Sequence, residues 1–124
     1  MTPLDLQDRG EYWQDLLGLN DWTIRFEYAP PHELGQAWAD NDFDQYHRTA
    51  LVRILHPNYA ALQKWPAPPY SVDTSVVHEL VHLLLDPIGA NETEGELELT
   101  MLEQTINKLT DIFVSLENEQ ESSE

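Results

Sequence analysis

The chain of 124 residues predicts an α+β domain, and three observations carry that reading. Apolar residues recur at helical spacing near both ends, over Leu4–Leu19 and again over Glu94–Leu116. Between them Trp22, Ile24, Phe26 and Tyr28 alternate with Thr23, Arg25 and Glu27, the period of two that marks a half-buried strand. A third helical run, Ser71–Asp86, is apolar on most sides through Val76, Val77, Leu80, Val81, Leu83, Leu84 and Leu85, so it belongs at the centre of the core. The expected architecture is an N-terminal helix, a small, mostly antiparallel sheet of about three strands, this central helix, and a long C-terminal helix.

The first helix carries Leu6, Tyr12, Trp13, Leu16 and Leu17 and meets Gly18 and Asn20, which predicts an end near Leu17 and an apolar face laid on the sheet. Pro30 and Pro31 end the first strand, because proline has no N–H to give to a ladder. Gly35–Asp40 is expected to form a short second strand, Asn41–Asp44 its polar connection, and Thr49–Leu55 the third strand, paired as a hairpin. A short helix is expected over Tyr59–Lys64, and the proline-rich Trp65–Pro69 as a rigid loop leading into the central helix. Ser71 or Asp73 supplies that helix with an N-cap, and Asp86, Pro87 and Gly89 supply its stop. After an acidic segment, Leu99, Leu102, Ile106, Leu109, Phe113 and Leu116 form the stripe of the last helix. Residues 1–116 are read as a single domain and 117–124 as a polar, acidic tail with nothing to bury.

The formal net charge of −17 argues against electrostatic binding to nucleic acid or to an anionic membrane and favours basic partners. With no cysteine the chain has neither disulfides nor thiolate ligands. The N-terminus lacks a basic segment followed by an apolar run, and no apolar stretch approaches membrane-spanning length, so a soluble, cytoplasmic protein is expected.

The central helix contains His78-Glu79-Leu80-Val81-His82. Two histidines four apart rise about 6 Å along a helix and project from nearly one face, so both imidazoles can bind one tetrahedral ion. Glu79, one residue past the first ligand, is directed at water beside the metal rather than at the metal, the position of a general base. No histidine follows His82, so a carboxylate must complete the site. Glu92, Glu94, Glu96, Glu98 and Glu103 all qualify by proximity, but Glu103 borders the buried stripe between Leu99 and Ile106, and Glu96 is second, one heptad earlier on the same edge.

His78-Glu79-Leu80-Val81-His82 followed by Glu103-Gln104-Thr105-Ile106-Asn107 resembles the gluzincin pattern, in which a downstream helix supplies a Glu, then an apolar residue and Asn. It is similar to the minimal gluzincins and to small peptidases of bacterial mobile elements and phages, some of which cleave repressors. The resemblance implies a minimal zincin-like fold, zinc (Zn2+) on His78, His82 and Glu103, and Glu79 as the catalytic base. The C-terminal subdomain of larger gluzincins is not expected in this pattern.

The function expected from these residues is zinc-dependent hydrolysis of a peptide bond in a protein or peptide substrate, with basic substrates favoured by the charge. Thr49–Leu55 is expected to be an exposed edge strand that receives the substrate. Tyr46, His47 and Tyr70 are candidates for stabilising the oxyanion. Two alternatives have other bases: a zinc-binding pseudoprotease that serves as a binding or regulatory protein, and an acidic mimic of nucleic acid that rests on charge alone.

Overall fold

In the computed structural model, which describes residues 3–35, 37–63 and 70–122, helix α1 (Pro3–Leu16) lies against strand β1 (Thr23–Ala29). The approach is close enough to require glycine at position 10. A Cβ there would stand 2.4 Å from a ring carbon of Phe26, on the buried side of the strand. The α1–β1 turn is held from within by Gln14, a buried amide that donates to the Leu19 and Trp22 carbonyls at 3.0 and 2.8 Å.

Strands β2 (Ala39–Asp44) and β3 (Thr49–Leu55) complete a sheet of order β1-β3-β2, with β1 and β3 parallel and β3 and β2 antiparallel. The α+β class is therefore as expected, but the sheet is mixed rather than mostly antiparallel. The second strand also lies later than the sequence indicates. Asn41–Asp44 is paired with β3, whereas Gly35 precedes the strand with a positive φ of 61°. The hairpin closes over Gln45–Arg48, where Asp44 accepts from the Tyr46 and His47 amides.

This order corrects the expectation for Thr49–Leu55, since β3 is the central strand and has no edge to offer. The outer strands are β1 and β2, and they are treated differently. Gln7 of α1 reaches β1, donating to Ile24 O at 3.1 Å and accepting from Phe26 N at 2.9 Å, so a side chain covers part of that edge. Strand β2 is the outer strand packed beside the central helix.

Ile24, Phe26, Val52 and Ile54 point to one side of the sheet and share a core with Leu6 and Trp13 of α1, while Thr23, Arg25 and Thr49 face solvent on the other. The short helices α2 (Pro31–Leu34) and α3 (Pro57–Ala60) flank a smaller cluster of Ala29, Leu34 and Leu55. Helix α2 was not anticipated. Helix α3 starts two residues before the helix expected over 59–64, whose last residue is outside the described residues, as is the expected loop 65–69.

Helix α4 (Val72–Leu85) fills the middle of the core, with Val76, Val77, Leu80, Val81 and Leu83 buried. Ser71 is its N-cap, its hydroxyl accepting from Thr74 N at 3.2 Å. Asp73 in the first turn takes a bidentate pair from Arg9 at 2.6 and 2.9 Å and a bond from the Trp13 indole at 3.0 Å, which ties α4 to α1. These bonds outweigh the opposing effect of burial and hold the Asp73 carboxyl below its ordinary range. The helix ends in a tight turn, Asp86–Ile88, and Gly89 at φ 75° reverses the chain.

Helix α5 (Glu96–Ser122) packs on α4. It runs six residues beyond Leu116, so part of the segment read as a polar tail continues the helix. Of the expected stripe, Ile106 is buried, Leu102, Leu109 and Phe113 are half-buried, and Leu99 and Leu116 at the two ends are exposed. Among the described residues no helix is long and apolar enough to cross a membrane.

Candidate metal centre

The spacing of four on α4 brings the two imidazoles to a centroid separation of 5.2 Å on the face toward α5. From α5, Glu103 meets both. Its Oε2 lies 3.0 Å from His78 Nε2 and its Oε1 3.2 Å from His82 Nε2. One ligand atom from each of the three residues can be chosen so that all lie within 4.8 Å of one another. Ligand atoms about 2 Å from a tetrahedral zinc ion stand about 3.3 Å apart, so these residues need only a small adjustment to hold one. The donor set of two imidazoles and a carboxylate also suits zinc, and three protein ligands leave a fourth position open.

The carboxylate between the imidazoles sets their ionisation. Hydrogen bonds from His78 and His82 pull the Glu103 carboxyl down to about 2. Burial lowers the basicity of both imidazoles, but their bonds to Glu103 and the nearby charge of Glu79 outweigh it, and both are raised above the ordinary histidine value. A cation bound here takes the place of protons on Nε2, so metal binding is coupled to proton release.

Glu79 is on another face of α4, directed at β2. It is buried, and its Oε1 accepts a hydrogen bond of 2.6 Å from Asn41 Nδ2. Burial raises its pKa above the ordinary glutamate value, against the lowering effects of His78, His82 and Asn41. A carboxylate with raised proton affinity is a stronger acceptor for a proton from water. Beside it, a cavity of about 170 Å3 is lined by Trp38, Ala39, Thr74, His78, Glu79 and Asn107.

The structure thus brings together all four residues singled out by the motif and the helix edge: His78, His82, Glu103 and, adjacent to them, Glu79. Glu96, the second choice for third ligand, begins α5 and is about 10 Å farther along the axis than Glu103. It is not part of the cluster. The three oxyanion candidates are engaged elsewhere. Tyr46 is 90 % exposed in the hairpin turn, the His47 ring pairs with Asp44 at 2.6 Å, and the Tyr70 hydroxyl donates to the Leu55 carbonyl.

Two residues at the site escaped the sequence reading. Asn41 falls in the stretch read as a connection, although Ala39, Asn41 and Phe43 alternate with Asp40, Asp42 and Asp44 in strand period. Asn91, after the turn that ends α4, bonds to His82 at 2.8 Å. No family model, no curated protein and no solved structure matches this chain.

Proposed function

We propose that the protein is a zinc-dependent peptidase whose metal is held by His78, His82 and Glu103 and whose general base is Glu79. The observation that carries this reading is the convergence of two imidazoles and a carboxylate beside a buried glutamate with raised proton affinity. The resemblance of the His78–His82 motif and Glu103 to the gluzincin pattern adds support. A bound zinc ion supplies Lewis acidity, which acidifies water and polarises a carbonyl group.

The chain's own residues divide the remaining work. Asn41 holds Glu79 Oε1, which leaves Oε2 to take a proton from water as the water oxygen adds to the carbonyl carbon. Glu79 then gives that proton to the amide nitrogen as the C–N bond breaks. Strand β2, the outer strand that carries Asn41, is the edge on which an extended substrate would lie as an added strand. The cavity beside His78 and Glu79 would receive one of its side chains, and the acidic surface favours basic residues elsewhere along it.

The decisive experiment measures metal content and peptide cleavage for wild type and Glu79→Gln. The expected result is one zinc per chain in both proteins, cleavage by wild type, and loss of cleavage by at least 100-fold in the variant. Absence of bound metal, or equal cleavage by both, would overturn the reading. The small size of the cavity favours one second reading, a zinc-bound module that binds protein without cutting it. That reading takes over if wild type holds zinc and cuts nothing across a broad peptide library.

A further inference from the structure

The chain that leaves α4 returns at once to its last ligand. Asp86–Ile88 forms one tight turn, Gly89 N donates to Asp86 O at 2.9 Å, and Gly89 adopts the left-handed conformation that sends the chain back along the helix. Two residues later the Asn91 amide makes three hydrogen bonds. Its Nδ2 donates to His82 O at 2.9 Å and to Asp86 Oδ1 at 3.2 Å, and its Oδ1 lies 2.8 Å from His82 Nδ1.

Those partners fix which way the amide faces. A carbonyl and a carboxylate only accept, so both must meet the NH2 group, and exchanging the amide's N and O would place an oxygen against each. The amide oxygen therefore faces His82 Nδ1. An amide oxygen also only accepts, so Nδ1 must carry a hydrogen. Nε2, turned toward the Glu103 carboxylate, carries a hydrogen as well while the ring is charged, and a cation that displaced that one would leave the hydrogen on Nδ1 with Asn91. His78 differs, because among the described residues no hydrogen bond to its Nδ1 is present.

We infer that Asn91 is a positioning residue that sets the tautomer and ring orientation of His82, and so prepares one of the two imidazoles as an Nε2 ligand before any cation arrives. Its consequence for metal binding rests on the zinc reading above; its effect on His82 does not. Asn91 touches no reacting atom. It acts through His82, and its own orientation is held by the backbone and Asp86 of the turn it closes.

The test uses full-length protein without metal, at a pH where the imidazole is neutral, and reads the His82 ring nitrogens in long-range proton–nitrogen correlation spectra. Wild type is expected to show the Nδ1–H form of His82. Asn91→Ala is expected to lose that preference. Zinc affinity by chelator competition should fall about 10- to 100-fold in Asn91→Ala.

An Nε2–H form of His82 in wild type overturns the inference even if the alanine variant does not fold. So does an alanine variant whose tautomer matches wild type. Wild type that binds no zinc, yet shows the Nδ1–H form that alanine abolishes, would refute the metal reading and leave the positioning role intact.

Discussion

Helices α4 and α5 supply the candidate site in unequal ways. Helix α4 has seven buried residues between Ser75 and Leu83, is capped by Ser71, pinned to α1 through Asp73 and closed at its far end by Asn91. Helix α5 is nearly twice as long, at 27 residues against 14, yet only Ile106 and Thr110 of its described side chains are buried. The imidazoles are accordingly 21 % and 15 % exposed, and the Glu103 side chain 40 %. Two of the candidate ligands are built into the core, and the third is carried by a helix that is mostly exposed. The difference predicts that a metal ion acts mainly by tying α5 to an α4 that is already in place.

The largest expected effect tests the rigid half. Leu80→Ala removes a fully buried side chain from α4 and should cost about 2–5 kcal/mol in chemical denaturation. Leu116→Ala on the exposed end of α5 should change stability by less than about 0.5 kcal/mol. Similar losses for the two would erase the distinction between the helices.

Next comes the metal. Zinc at a hundred times its dissociation constant should stabilise the fold by about 2.7 kcal/mol, and chelation should remove that gain. Glu103→Ala should weaken zinc binding and bring the melting temperature with zinc close to that of chelated wild type. If chelation leaves the wild-type melting temperature unchanged, the metal does not hold α5 to α4.

The tie between α4 and α1 should contribute somewhat less. Asp73→Asn breaks a partly buried, bidentate pair with Arg9 and should cost about 1.5–3 kcal/mol at neutral pH. The folded-state pKa of Asp73 is depressed, so its stabilisation is fully present above the unfolded value of about 3.9 and is lost as the pH falls through the lower folded value. The gap between wild type and variant should therefore be constant from pH 7 down to about 5 and narrow below about 4. Urea midpoints across that range would measure it, and a gap that persists at pH 2 would assign the effect to packing.

The same asymmetry governs what the sequence discloses. Helix α4 is legible because its apolar residues, N-cap and histidine pair are all local features, and Glu103 is legible as the carboxylate bordering the stripe that contains Ile106. Strand β2 is obscured because four of its six residues are Asn or Asp, types depleted in strands, and its alternation is masked by their common polarity. The parallel pairing of β1 with β3 is a tertiary choice, since the hairpin alone would leave β3 free to lie on either side of β2. Asn41 and Asn91 reach the site only through strand register and a left-handed glycine turn, neither of which a spacing pattern records.

The smallest expected effect concerns the far end of α5. Residues 117–122 extend the helix, and their contacts with the rest of the fold include the exposed hydrogen bond that the Tyr12 hydroxyl donates to Glu117. An exposed contact of this kind is worth less than about 1 kcal/mol. Leu116 itself is 13 residues after Glu103, about 20 Å along the axis. Ending the chain at Leu116 should thus lower stability by no more than about 1 kcal/mol and leave zinc affinity unchanged, as read by thermal melts and chelator competition on the same protein. A several-fold loss of affinity would mean that the exposed end helps dock the whole of α5, and that Glu103 is held by the full length of the helix rather than by the turns around Ile106.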